Sequence, residues 1–68
     1  MGRILAFAGR APKIARDTFI APDAVIIGDV EIGEGSSVWY GAIVRGDVNW
    51  IRIGRKTNIQ DRCVCHVT

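Results

Sequence analysis

A single histidine, His66, follows the tripeptide Cys63-Val64-Cys65 near the end of the 68-residue sequence. Imidazole ionises near neutral pH and its neutral form ligates zinc, so His66 is the residue best suited to proton or metal chemistry. One imidazole does not make a hydrating zinc centre. Such a centre needs three protein nitrogens and an open position for a water whose pKa falls to about 7. The thiols do not complete the set, because alternation along a strand puts Cys63 and Cys65 on one face and His66 on the other. Further back stand Arg45-Gly46-Asp47 and the polar run Asn58-Ile59-Gln60-Asp61. An exposed Arg-Asp pair two residues apart is worth under about 1 kcal/mol. At a subunit interface the same groups gain specificity through bidentate hydrogen bonding. Gln60 and Asp61 also allow two readings: a role at a site, or a corner turn where short polar side chains bond nearby backbone.

The elements that position these residues come from a repeat. Read in sixes from Ile20, the sequence opens each unit with an aliphatic residue: Ile20, Ile26, Ile32, Val38 and Val44. The fifth place is small or β-branched: Ala24, Val30, Ser36, Ala42 and Val48. Trp50-Ile51-Arg52 interrupts, and the pattern resumes at Ile53 and Ile59. Places five and one of successive units lie two apart, which suits a short strand with both side chains inward. Gly28, Gly33, Gly35, Gly41, Gly46 and Gly54 break every candidate helical window. An all-β chain is expected, three short strands to each coil of about 18 residues, stacked as a triangular parallel β-helix. Residues 20–68 form the coils, about two and a half of them, and residues 1–19 an extended lead-in or cap.

The repeat also sets the phase of the polar residues. One coil lengthened by the interruption places His66 directly above Arg45, both facing outward, and Cys65 above Val44. Cys63 and Cys65 then point inward and behave as small core residues. If Val38 points inward, Trp39 points outward, and outward aromatics favour an oligomer contact. Thr68 falls just after a repeat begins, leaving an edge that another coil or another chain would cover.

Composition removes several functional classes. A net charge of +2, with no basic run or aromatic interleaving, does not fit nucleic-acid binding. No run approaches the roughly 18 apolar residues of a membrane helix, and Met1 to Ala8 is too short for a signal peptide. A soluble, cytoplasmic protein with free thiols is expected. A domain this short buries only about 60% of its unfolded surface, so help from partners is expected.

The hexapeptides, followed by Val44-Arg45-Gly46-Asp47-Val48-Asn49 and by Asn58-Ile59-Gln60-Asp61 with a histidine five residues beyond the aspartate, closely resemble the γ-class carbonic anhydrase family. The resemblance covers roughly residues 9–68. It implies a left-handed β-helix, a homotrimer, and zinc held between neighbouring subunits in a lyase that converts CO2 to bicarbonate. By that resemblance His66 is the first of three zinc-ligand histidines. Gln60 and Asn58 line the site and orient the zinc-bound water or bicarbonate, and Arg45, Asp47 and Asp61 join subunits and shape the pocket. The sequence departs from the family where it matters most for catalysis. The family's other two ligands lie in a later His-x-x-x-x-His segment that these residues do not contain, and no acidic proton-shuttle stretch stands near Arg45-Gly46-Asp47. The resemblance therefore implies the N-terminal part of such a protein, inactive alone. Two alternatives are a non-catalytic trimeric scaffold and an acyl-group enzyme of the broader hexapeptide family.

Overall fold

The computed structural model describes residues 2–66. Its regular elements are all strands: β1 (Arg3–Leu5), β2 (Lys13–Ile14), β3 (Phe19–Ile20), β4 (Val25–Ile32), β5 (Ser37–Val38), β6 (Ile43–Ile53), β7 (Asn58–Ile59) and β8 (Val64–His66). Every strand pairs in parallel with the strand one coil away. Three faces result. The first stacks β1, the start of β4, the start of β6, and β8; the second stacks β2 and the later halves of β4 and β6; the third stacks β3, β5 and β7. This is the parallel β-helix expected, with about three turns.

At two of the corners, residues at equivalent places in successive coils adopt a left-handed backbone. Asp17 (φ 60°), Gly35 (φ 72°) and Lys56 (φ 54°) share one corner, and Gly41 (φ 72°) and Arg62 (φ 60°) share the next. The third corner lies inside β4 and β6, which run through it, and in β4 Gly28 (φ 79°) is its left-handed residue. There the backbones close in: a Cβ on Gly46 would lie 2.6 Å from the Asp29 carbonyl oxygen, and one on Gly28 2.6 Å from that of Gly46. Only glycine permits that approach.

The interior is thin and aliphatic. Ile20, Ile26, Ile32, Val38 and Val44 are buried as their phase predicts, with Ala24, Val30, Ser36 and Ala42 between them, and Ile53 and Ile59 pack half-buried against the cluster. Ser36 is accommodated because its hydroxyl donates to the Gly54 carbonyl at 2.8 Å and accepts from the Thr57 amide at 3.1 Å.

Two interior assignments change. Val48 is 65% exposed, and Ile51 takes its place in the core. Gly28 pairs with Gly46, but Val30 pairs with Ile51, so the extra residues lie between Gly46 and Ile51 rather than at 50–52. Cys63, expected inward, is exposed. It continues the phase of Ala42, yet none of the described strands covers it, whereas Cys65 pairs with Val44 and is half-buried. The lead-in is also more regular than its sequence implies: β1 and β2 both hydrogen-bond to β4 and help form the first turn. Thr68 lies outside the described residues.

Candidate metal and substrate site

On the first face β6 and β8 pair Arg45 with His66, the register that the spacing predicts. Beyond Gly46 the chain leaves the ladder, and the Asp47 carboxylate turns back toward this column. Arg45 donates through Nε and Nη2 to Asp47 Oδ2, at 3.2 and 2.9 Å. Asp47 Oδ1 is buried and has no hydrogen-bond partner. His66 Nε2 lies 3.4 Å from it.

The Arg45 hydrogen bonds hold the Asp47 carboxyl below its usual range; burial opposes this, and the Arg45 charge and the backbone amides of Asp47 and Val48 add to it. Asp47 is therefore ionised at neutral pH, with one oxygen spent on the guanidinium and the other aimed at the imidazole. The arrangement can accept an imidazole N–H and fix the ring's orientation. It does not amount to a zinc site, because no three His, Cys, Asp or Glu side chains converge among the described residues. The chain supplies one imidazole with a carboxylate beside it.

A second cluster sits on the third face. Register places Asn58 of β7 on Ser37 of β5, which lies on Phe19 of β3. The Ser37 hydroxyl donates to Asn58 Oδ1 at 2.5 Å and accepts from the Trp39 indole at 2.8 Å. Trp39 is half-buried against Phe19, their ring centroids 4.7 Å apart. Gln60 and Asp61 are exposed at the corner that follows, where the Cys63 amide donates to the Gln60 carbonyl at 3.2 Å. That bond belongs to the turn and leaves both side chains without a partner among the described residues.

Arg45, Asp47 and His66 thus share one face, Asn58 stands on another, and Gln60 and Asp61 occupy the corner between. Outward side chains on different faces of a triangular coil diverge, and no hydrogen bond or ion pair joins the two clusters among the described residues. Sequence reasoning missed Ser37 and the indole of Trp39 as supports for Asn58. The 21-residue separation that aligns Arg45 with His66 also aligns Ser37 with Asn58, and was the available signal. Trp50, in the interruption, is exposed, and the Arg52 guanidinium lies 5.1 Å from its ring centroid.

A parallel β-helix built on six-residue repeats with a basic-acidic-imidazole cluster defines a hexapeptide-repeat protein. The family described as bacterial transferase hexapeptide (six repeats) matches residues 11–46, more than half of the sequence, and the chain belongs to it. Within that family the similarity runs to proteins named as carbonic anhydrases, as the Arg45-Gly46-Asp47 and Asn58-to-His66 segments imply. γ carbonic anhydrase 2 of Arabidopsis thaliana mitochondria is 55% identical over 58 residues, 85% of this chain and 21% of that protein. A probable carbonic anhydrase of Methanocaldococcus jannaschii is 58% identical over 53 residues, 78% of this chain and 33% of that protein. A Bacillus cereus crystal structure, provisionally called an acetyltransferase, superposes with a TM-score of 0.89 at 44% identity, covering 91% of this chain and 36% of that one. The chain spans a fifth to a third of the length of these curated relatives.

Proposed function

We propose that this chain is the N-terminal part of a γ-carbonic-anhydrase-like lyase that interconverts CO2 and bicarbonate with zinc, working as a homotrimer in the cytoplasm. The observation that carries this reading is the Arg45–His66 register with a buried, unpartnered Asp47 oxygen facing His66. In it His66 supplies one zinc ligand and Asp47 holds the imidazole. Zinc in such a centre acidifies its bound water to a pKa of about 7.

The separation of the two clusters supports assembly. Asn58 and Gln60 do not reach the His66 column within one chain, whereas the first face of one copy meeting the third face of another would bring amide donors opposite the imidazole. Arg45, Asp47 and Asp61 then act at or beside the subunit contact. Two free thiols suit a reducing compartment.

The test measures CO2 hydration and zinc content in the longest reading frame that contains these residues, with and without His66→Ala. Loss of bound zinc and a drop of at least about 100-fold in hydration are expected, the scale of removing a metal-site contact. Retention of both by His66→Ala would overturn the assignment. The 68-residue chain alone is expected to show no substantial hydration; about one bound zinc with His66-dependent activity would contradict that. A second reading, an acyl-group enzyme, is favoured by the Bacillus cereus superposition. It predicts acetyl transfer from an acyl thioester, independent of His66.

A further inference from the structure

We infer that Ser37 and Trp39 are positioning residues for Asn58, locking its carboxamide so that the oxygen faces the coil and the NH2 faces outward as a donor for an oxyanion. The choice of bicarbonate as that oxyanion rests on the proposed function; the lock itself does not.

The chemistry of the three groups leaves one solution. Indole Nε1–H is a donor only, so its 2.8 Å contact with the Ser37 hydroxyl occupies an oxygen lone pair. The hydroxyl has one hydrogen, and the remaining partner is Asn58 at 2.5 Å. That separation belongs to O–H···O bonds and lies below the range of N–H···O bonds, so the atom facing Ser37 is Oδ1. Turning the amide over would set two donors on one hydroxyl and strand its hydrogen. Ser37 is 9% exposed, so water does not readily take over either bond. Trp39 is itself held by Phe19 across the ring contact of 4.7 Å. Asn58 is exposed, and its NH2 donates to no protein group among the described residues. A carboxamide fixed in this sense presents two N–H groups to an anion, whereas a free one presents its acceptor oxygen half of the time.

The test is NMR on the 15N-labelled chain, with far-UV circular dichroism as the folding check. Indole hydrogen exchange at Trp39 is expected to be at least about tenfold slower than at exposed Trp50, and Ser37→Ala to remove most of that difference while Ser37→Thr keeps it. Bicarbonate titration is expected to shift the Asn58 side-chain NH2 resonances, with affinity about fivefold weaker in Ser37→Ala. Asn58→Asp still accepts from Ser37 and keeps Trp39 protection, but its carboxylate is expected to abolish the bicarbonate response. Trp39 protection unchanged in a folded Ser37→Ala variant overturns the lock. Should bicarbonate move no resonance while protection depends on Ser37, the lock is supported and the bicarbonate reading falls.

Discussion

Gly46 separates the two charged residues of the Arg45–Asp47 pair, and Gly46→Ala tests whether the coil corner sets their geometry. A Cβ there would stand 2.6 Å from the Asp29 carbonyl oxygen, 2.8 Å from its carbon and 3.0 Å from Val30 Cγ2. Backbone on one side and a core residue on the other leave no flexible group to give way. Gly46 has no left-handed φ, so crowding alone is tested. Overpacking of this kind costs about 1–3 kcal/mol. A chain of this size holds roughly 3–10 kcal/mol of stability in total. With an unfolding entropy near 2.1 cal/mol/K per residue, each kcal/mol moves Tm by about 7 °C, so a fall of roughly 7–20 °C is expected. Gly54→Ala is the matched control: its nearest neighbour would be Thr57 Oγ1 at 3.8 Å, and its φ is not left-handed. Reduced freedom of the unfolded chain should leave that variant as stable or up to about 1 kcal/mol more so. Thermal unfolding followed by circular dichroism at fixed protein concentration measures both. A Gly46→Ala Tm within about 3 °C of the parent would refute the reasoning.

Ile26 is fully buried, and Ile26→Ala should cost about 2–5 kcal/mol, read from denaturant midpoints. A midpoint close to the parent's would mean that this interior is not the stabilising core. Asp47 has a folded-state pKa below its unfolded value, so its stabilisation is present above about pH 4 and is lost as pH falls through the lower folded value. Arg45→Ala removes the largest cause of that depression, so the Tm difference between parent and variant should narrow on acidification from pH 5 to pH 2; a constant difference would count against it. Burial, and then the neighbouring Cys63, push the Cys65 thiol up. Iodoacetamide at pH 8, followed by peptide mass spectrometry, should therefore label exposed Cys63 before Cys65, and equal rates would contradict the burial difference.

The repeat was legible because the side-chain period of a strand is two, and places five and one of each hexapeptide fall on one side of it. That rule located Ile26, Ile32, Val38 and Val44 in the interior and set His66 over Arg45. It did not locate the insertion. Val48 and Ile51 are both aliphatic and equally able to fill the place above Val30, and what decides between them is where β6 leaves its ladder with β4. Nor did it reveal the order in residues 3–14, since β1 and β2 join the first turn through backbone hydrogen bonds that any side chain permits.

The candidate site divides in the same way. Residue type marked His66, and the family resemblance marked Arg45, Asp47, Asn58, Gln60 and Asp61, whose types alone left solvated pairs and corner turns as alternatives. Folding decided which of them meet. Asp47 reaches His66 because the corner at Gly46 turns its carboxylate back over β8, while Arg45 takes the other oxygen. Asn58 is instead committed to Ser37 and Trp39 on another face. The sequence by itself determined the parallel coils and the residues they display, since both follow from a local period. Only the tertiary structure decided the grouping, because a triangular coil sends its faces in three directions and neighbours across a turn are set by ladder register and corner geometry rather than by distance along the chain.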